Sequence, residues 1–270
     1  MNAGKNIINR RKAMKKAISA ALCAVVLIVL SSTMLTGAYA AGADVSVWDG
    51  TSGKSIATGS GTEADPYVIT DAAELDYIAT ACMGGDTFAD KYIVLDVNID
   101  WGGREWTSIG YSSSAVFSGS FDGNGKTIFN LTCQDVTVGI FGYATAATIK
   151  NLNVDYASFT TDTRYAGAIV GLLRDSQVSG CSAGLNASVK TTDIMSNTAQ
   201  IGGLFGLVNN SFVDSCSFEG EVVASSITGT SFVGGIAGVI GNNSEVSFCI
   251  NNGSVSVTNA CIAAGSYAYA

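Results

Sequence analysis

VGIFGYA (138–144), AIVGLL (168–173), GGLFGLV (202–208) and GGIAGVI (234–240) state one phrase four times, and AGSYAYA (264–270) is a degenerate fifth copy. The glycines that punctuate the phrase are Gly142, Gly171, Gly206 and Gly238, with Ala268 in that place in the last copy. The period is about 30 residues. Such a period marks a repeat architecture, in which no unit buries its apolar face alone and stacking supplies the core.

Other positions recur in step. Ile149, Val178, Val213 and Val246 follow the glycines, and Leu152, Cys181, Cys216 and Cys249 come three residues later. A β-rich run then closes each unit, at 152–156, 187–190, 221–224 and 254–257. Two or three short strands per unit predict one coil of a solenoid, with neighbouring coils about 4.8 Å apart. The fold class expected is all-β, a right-handed parallel β-helix. The glycines are expected to serve the sharp turns between faces through positive φ and close approach of the next coil. A phosphate-binding loop would need a strand–loop–helix setting and a lysine, and the phrase has neither. A β-sandwich would show turns every 8 to 12 residues without this longer echo.

The first 40 residues read differently. Lys5, Arg10, Arg11, Lys12, Lys15 and Lys16 form a basic start, Ala17–Leu35 is apolar, and Ala38-Tyr39-Ala40 is a small-x-small cleavage signature. This is the pattern of a signal peptide cut after Ala40, which implies a secreted or cell-surface product with no transmembrane segment once the leader is gone. All 22 acids lie beyond residue 40, with eight bases, a net charge of −14 for the remainder. That charge repels phosphate backbones, so nucleic acid is not an expected partner. The division expected is 1–40 signal peptide, 41–131 cap and first coil, and 132–270 repeats. Because the chain ends inside a repeat, it is expected to be part of a longer surface protein.

Residues 59–131 do not follow the repeat. Asp71 with Glu74 three residues on is a capping box, and Leu75, Ile78, Ala79 and Cys82 follow at helical spacing, which predicts a helix over 72–82 stopped by Gly84-Gly85. Tyr92–Ile99 alternates as one half-buried strand. An end coil exposes strand edges and an open core, and a helix laid over it covers both.

The blocks GSGTEADPYVITDAAELDYIA (59–79), KYIVLDVNIDWGGREWTSIG (91–110), FSGSFDGNGKTIFNL (117–131) and GIFGYATAATIKNLNV (139–154) occur in order. In them the chain resembles bacterial cell-surface proteins with GLUG-motif repeats. That resemblance implies a β-helix of the pectin-lyase-like kind, displayed or secreted, with adhesion-like roles. Some such proteins carry a zinc metallopeptidase domain, and the histidine its motif needs is absent from this chain.

Composition narrows the chemistry. With no histidine, His-based triads and zinc hydrolysis fall away. No catalytic residue or cofactor is assigned, because no pair of acids recurs in corresponding positions as a glycosidase would require. Cys181, Cys216 and Cys249 are expected as a reduced inward column, since stacked neighbours sit farther apart than a disulfide allows. Asp96, Asn98 and Asp100 alternate on the expected strand and form a weak Ca²⁺ candidate. Trp48, Trp101 and Trp106 are read first as cap core and second as sugar-stacking surfaces. Asn209-Asn210, Asn242-Asn243 and Asn251-Asn252 stand near turns and could stack as amide ladders. The function expected is a non-catalytic adhesin-like or scaffold module binding extracellular glycans or a host or matrix surface. The alternative is a polysaccharide lyase or glycoside hydrolase of β-helix type.

Overall fold

The computed structural model describes residues 44–135, 137–162, 164–191, 198–225, 231–258 and 267–268. The expected signal peptide and Cys261 lie outside them. The unit from Asp44 onward is a β-solenoid of about six turns with, among the described residues, a single short helix. Among the described residues its strands form four sheets of ten, seven, five and four strands, and the ladders between coils are parallel.

The seven-stranded sheet shows why. Its inward column runs Ile93, Phe121, Ile149, Val178, Val213 and Val246, each opposite the next in register. β-branched and aromatic side chains at the same position of every coil stack into one apolar wall. Phe121 of this wall is fully buried, and Phe117, Phe141, Phe159, Phe205 and Phe218, also fully buried, fill the interior behind it. Phe141 touches Phe117 and Phe121 at ring-centre distances of 5.1 and 5.3 Å.

The repeated glycines hold a different post from the one expected. None of Gly142, Gly171, Gly206 and Gly238 has positive φ. They lie where the four-stranded sheet folds back closely on the five-stranded sheet. A Cβ on Gly206 would stand 2.4 Å from the Gly171 carbonyl oxygen, and one on Gly238 2.4 Å from the Ile201 nitrogen. Close approach alone therefore selects glycine here. The left-handed corners are taken by other residues: Ala146, Asp175, Asn210 and Asn243 at one corner, and Asn151, Gly180, Ser215 and Phe248 at the next. Asn and Asp tolerate that region better than other side chains, which accounts for their frequency at these corners.

Two register expectations change as well. The run 152–156 does not match 187–190; Ser158–Thr161 pairs with Ser188–Thr191, while Asn153–Val154 pairs with Ser182–Ala183. Asn153–Thr161 is one strand with a kink at Tyr156, and in the following coil a turn at Gly184–Ala187 splits the equivalent run into two strands. Ala268 stands opposite Val233 and not Gly238. Small residues fit either column, so the letters of the fifth copy did not fix its register.

At the N-terminal end the helix α1 spans Ala72–Met83. Asp71 caps it by accepting from the Glu74 N–H at 2.8 Å. The Glu74 carboxylate accepts from the N–H groups of Ala57 and Thr70 and from the Thr70 hydroxyl, so the return bond of the box goes one residue before the cap. Leu75, Ile78, Ala79 and Cys82 are buried in the core. The expected strand Tyr92–Ile99 is two, Tyr92–Leu95 and Asn98–Glu105, which belong to different sheets and meet at a corner. The ladder is continuous through the expected boundary at residue 131, inside the strand Thr127–Gln134.

Candidate functional site

The outer face of the ten-stranded sheet carries a creased surface. Three strands supply it: Asn98–Glu105, Thr127–Gln134 and Asn153–Thr161. Each is interrupted near its middle. The first bulges at Gly102-Gly103, both at φ near +70°. In the second and third, Asn130 (φ +58°) and Tyr156 (φ +45°) occupy the same ladder position, bracketed by Phe129 opposite Asp155 and Leu131 opposite Ala157. The sheet is creased along this line.

A shallow groove follows the crease, lined by Gly103, Asn130, Thr132, Tyr156, Ser158 and Asn186 among others. It continues over Thr132 and Ser158 onto Glu105, Gln134 and Thr160. The lining is mostly hydroxyls and amides, with the Glu105 carboxylate and one aromatic ring, Tyr156, which is 46% exposed. The nearby cations are engaged: Lys190 pairs with Glu221 at 2.7 Å, and Arg104 donates to the Trp48 carbonyl at 2.8 Å.

Five aspartates are tied to the following coil. Asp100 accepts from the Asn130 amide at 2.8 Å, Asp122 from the Asn151 amide at 3.0 Å, and Asp175 from the Asn210 amide. Asp155 accepts from the Asn186 N–H at 3.0 Å, and Asp214 from the Ser247 hydroxyl at 2.7 Å. Burial raises the Asp122 carboxyl, and donors from Asn124, Asn151 and Lys150 outweigh it and hold the group below the usual range. The Ser215 and Ser247 hydroxyls lower Asp214 in the same way. Asp122, Asp175 and Asp214 are corner staples, and Asp100 and Asp155 staple the strands along the crease. The Asn–Asn ladder expected at the turns is an Asn–Asp pairing where Asn210 is concerned.

The Ca²⁺ candidate is split. Asp96 is exposed at the corner between two sheets, Asn98 accepts from the Thr127 N–H at 2.9 Å, and Asp100 is held by Gly102 and Asn130. Asn98 and Asp100 share one strand, and Asp96 stands off it, so the three do not lie along a single strand as expected. Trp101 and Trp106 are buried, with indole N–H groups donating to the carbonyls of Glu105 and Ile140. Trp48 is half-buried and stacks on Trp101 at 4.1 Å, so these rings build the cap.

Cys181, Cys216 and Cys249 do form one column beyond Leu152, one per coil, and are free thiols. Each donates to the carbonyl two residues before it, at 3.3 to 3.5 Å. The Cys181 thiol beside it and burial push the Cys216 thiol up, and burial pushes Cys82 and Cys133 up to about 12. Sequence reasoning missed the groove, because its lining letters are the commonest outward residues of the chain.

The chain is 32% identical over 177 residues to Halomucin from Haloquadratum walsbyi, a match that covers 61% of this chain. It spans about 2% of that protein's length. No family model matches the chain. No solved structure matches it. Among the described residues no helix is long and apolar enough to cross a membrane.

Proposed function

We propose that this chain is a non-catalytic extracellular or cell-surface module, adhesin-like or scaffolding, whose creased sheet face binds glycans. The observation that carries the reading is the continuous open groove of hydroxyls and amides beside an exposed tyrosine. Polar groups that can donate and accept, together with an aromatic face, suit the hydroxyls and flat rings of sugars. Two acids on this face, Asp100 and Asp155, are occupied in holding one coil to the next, and Glu105 lines the groove as a single carboxylate, which supports binding over cleavage by an acid pair. The N-terminal leader pattern supports export and cell-surface residence, and likeness to a protein with a mucin name agrees with that setting.

The test is a screen of the purified chain over defined oligosaccharides, with each ligand recovered and analysed by mass spectrometry. Binding with every ligand returned intact is the expected result. Shortened or unsaturated products would replace this reading with a polysaccharide lyase or hydrolase. Absence of binding to every sugar would reject the glycan role.

A further inference from the structure

Tyr156 sits in a conformation its side chain disfavours. Its φ is +45°, a region that bulky residues rarely enter. The preceding coil places Asn130 at the same ladder position, and Asn is among the side chains best suited to it. The fold thus has a more comfortable residue available at this position and holds an aromatic ring instead. Phe248 is also an exposed aromatic residue at positive φ, and what sets Tyr156 apart is its place in the lining of the groove, beside Asn130, Thr132, Ser158 and Asn186.

The groove also selects by charge. Lys190 is neutralised by Glu221, Arg104 is turned onto the Trp48 carbonyl, the Glu105 carboxylate lines the groove, and the chain beyond residue 40 has 22 acids against eight bases. An acidic polysaccharide would meet repulsion with little to offset it. From these observations we infer that Tyr156 is the stacking platform of a subsite for an uncharged, linear pyranose chain, with the Thr132 and Ser158 hydroxyls beside it as hydrogen-bonding groups. This rests on the glycan-binding reading above and adds the ligand's charge class and the residue that anchors it.

The experiment measures binding of uncharged hexasaccharides (cello-, manno- and chitohexaose) and of polygalacturonate to the full chain and three variants. Tyr156→Asn should weaken binding to the preferred uncharged sugar by about tenfold or more, as loss of a stacked ring does. Its melting temperature should stay level or rise, because the variant installs the residue that the crease favours. Tyr156→Phe should bind within about threefold of the parent, since the ring remains. Phe248→Asn relieves another aromatic corner, away from the groove, and should leave binding unchanged. Unaltered affinity in Tyr156→Asn, or binding of polygalacturonate alone, would overturn this inference while leaving glycan binding in place. Failure of the parent chain to bind any of the sugars would overturn both.

Discussion

The Asn151 side-chain amide of one coil donates to the Asp122 carboxylate of the coil before it, 3.0 Å away, across 29 residues of sequence. Asn151 is itself in the left-handed region, at φ +54°. One residue thus turns the corner and fastens it to its neighbour. Asn151→Ala removes the bond and puts a less tolerant residue at the corner, and should cost about 1–2 kcal/mol in chemical denaturation. Asn151→Gly should recover part of that loss, because it restores the backbone and not the amide. Equal losses in the two variants would show that the bond and not the corner matters.

The staples set the acid limit of the fold. Asp122 and Asp214 have carboxyls held below their usual range in the folded chain. A depressed folded value contributes stability above the unfolded value, about 3.9, and that contribution fades as pH falls through the folded value. Melting temperature should therefore be insensitive to these groups from neutral pH down to about 5, and decline steeply below about 4. The double variant Asp122→Asn, Asp214→Asn should flatten the acid limb and lower stability at pH 7. An unchanged limb would remove these residues from the account.

Gly206 tests the close approach of the two smaller sheets. The Cβ of Gly206→Ala would meet the Gly171 oxygen at 2.4 Å and the Ala166 nitrogen at 2.8 Å, both backbone atoms that cannot swing aside. The expected loss is about 3 kcal/mol or failure to fold. A fully stable Gly206→Ala would mean that the sheets can separate at this point.

Burial should protect the thiols. At pH 8 the native chain should react slowly with a thiol reagent at Cys82, Cys133 and Cys216, whose thiols are raised, and quickly at all of them once unfolded. Thiols raised in the folded state contribute stability that is complete below their unfolded value, about 8.5, and is lost as pH climbs beyond it. Rapid native-state labelling at Cys216, followed by peptide mapping, would contradict the packed column.

Capping predicts a graded result. Asp71→Ala should cost about 1 kcal/mol, the usual worth of an N-cap. Glu74→Ala should cost more, about 2–3 kcal/mol, because the carboxylate is buried and three donors, from Ala57 and Thr70, lose their acceptor together.

What the sequence disclosed follows from where selection by packing is strict. Ile149, Val178, Val213 and Val246 must all be apolar and of similar size, so the column is visible as letters. The glycines recur for an equally strict steric reason, although that reason is contact between backbones and not positive φ. Corners are permissive: Ala146, Asp175, Asn210 and Asn243 do one job with three residue types, so the corner leaves no repeated letter. The Asp–Asn staples join positions in successive coils that share no motif, and only the register brings them together. The groove was hidden for a further reason. Thr132, Ser158 and Asn186 are ordinary outward residues, and what distinguishes Tyr156 is its φ, which no composition or spacing reveals.

The parallel register also decides how the molecule meets a mechanical load. Hydrogen bonds between coils point along the solenoid axis, so a pull along that axis opens them in tension, one row after another, without shearing a whole sheet at once. Each coil released would lengthen the chain by roughly 100 Å, at about 3.3–3.6 Å for each of some 30 residues. Asp100, Asp122, Asp155, Asp175 and Asp214, spaced from coil to coil, act as rungs that must break in turn. Tension would then be dissipated stepwise, with the coils not yet reached keeping their shape.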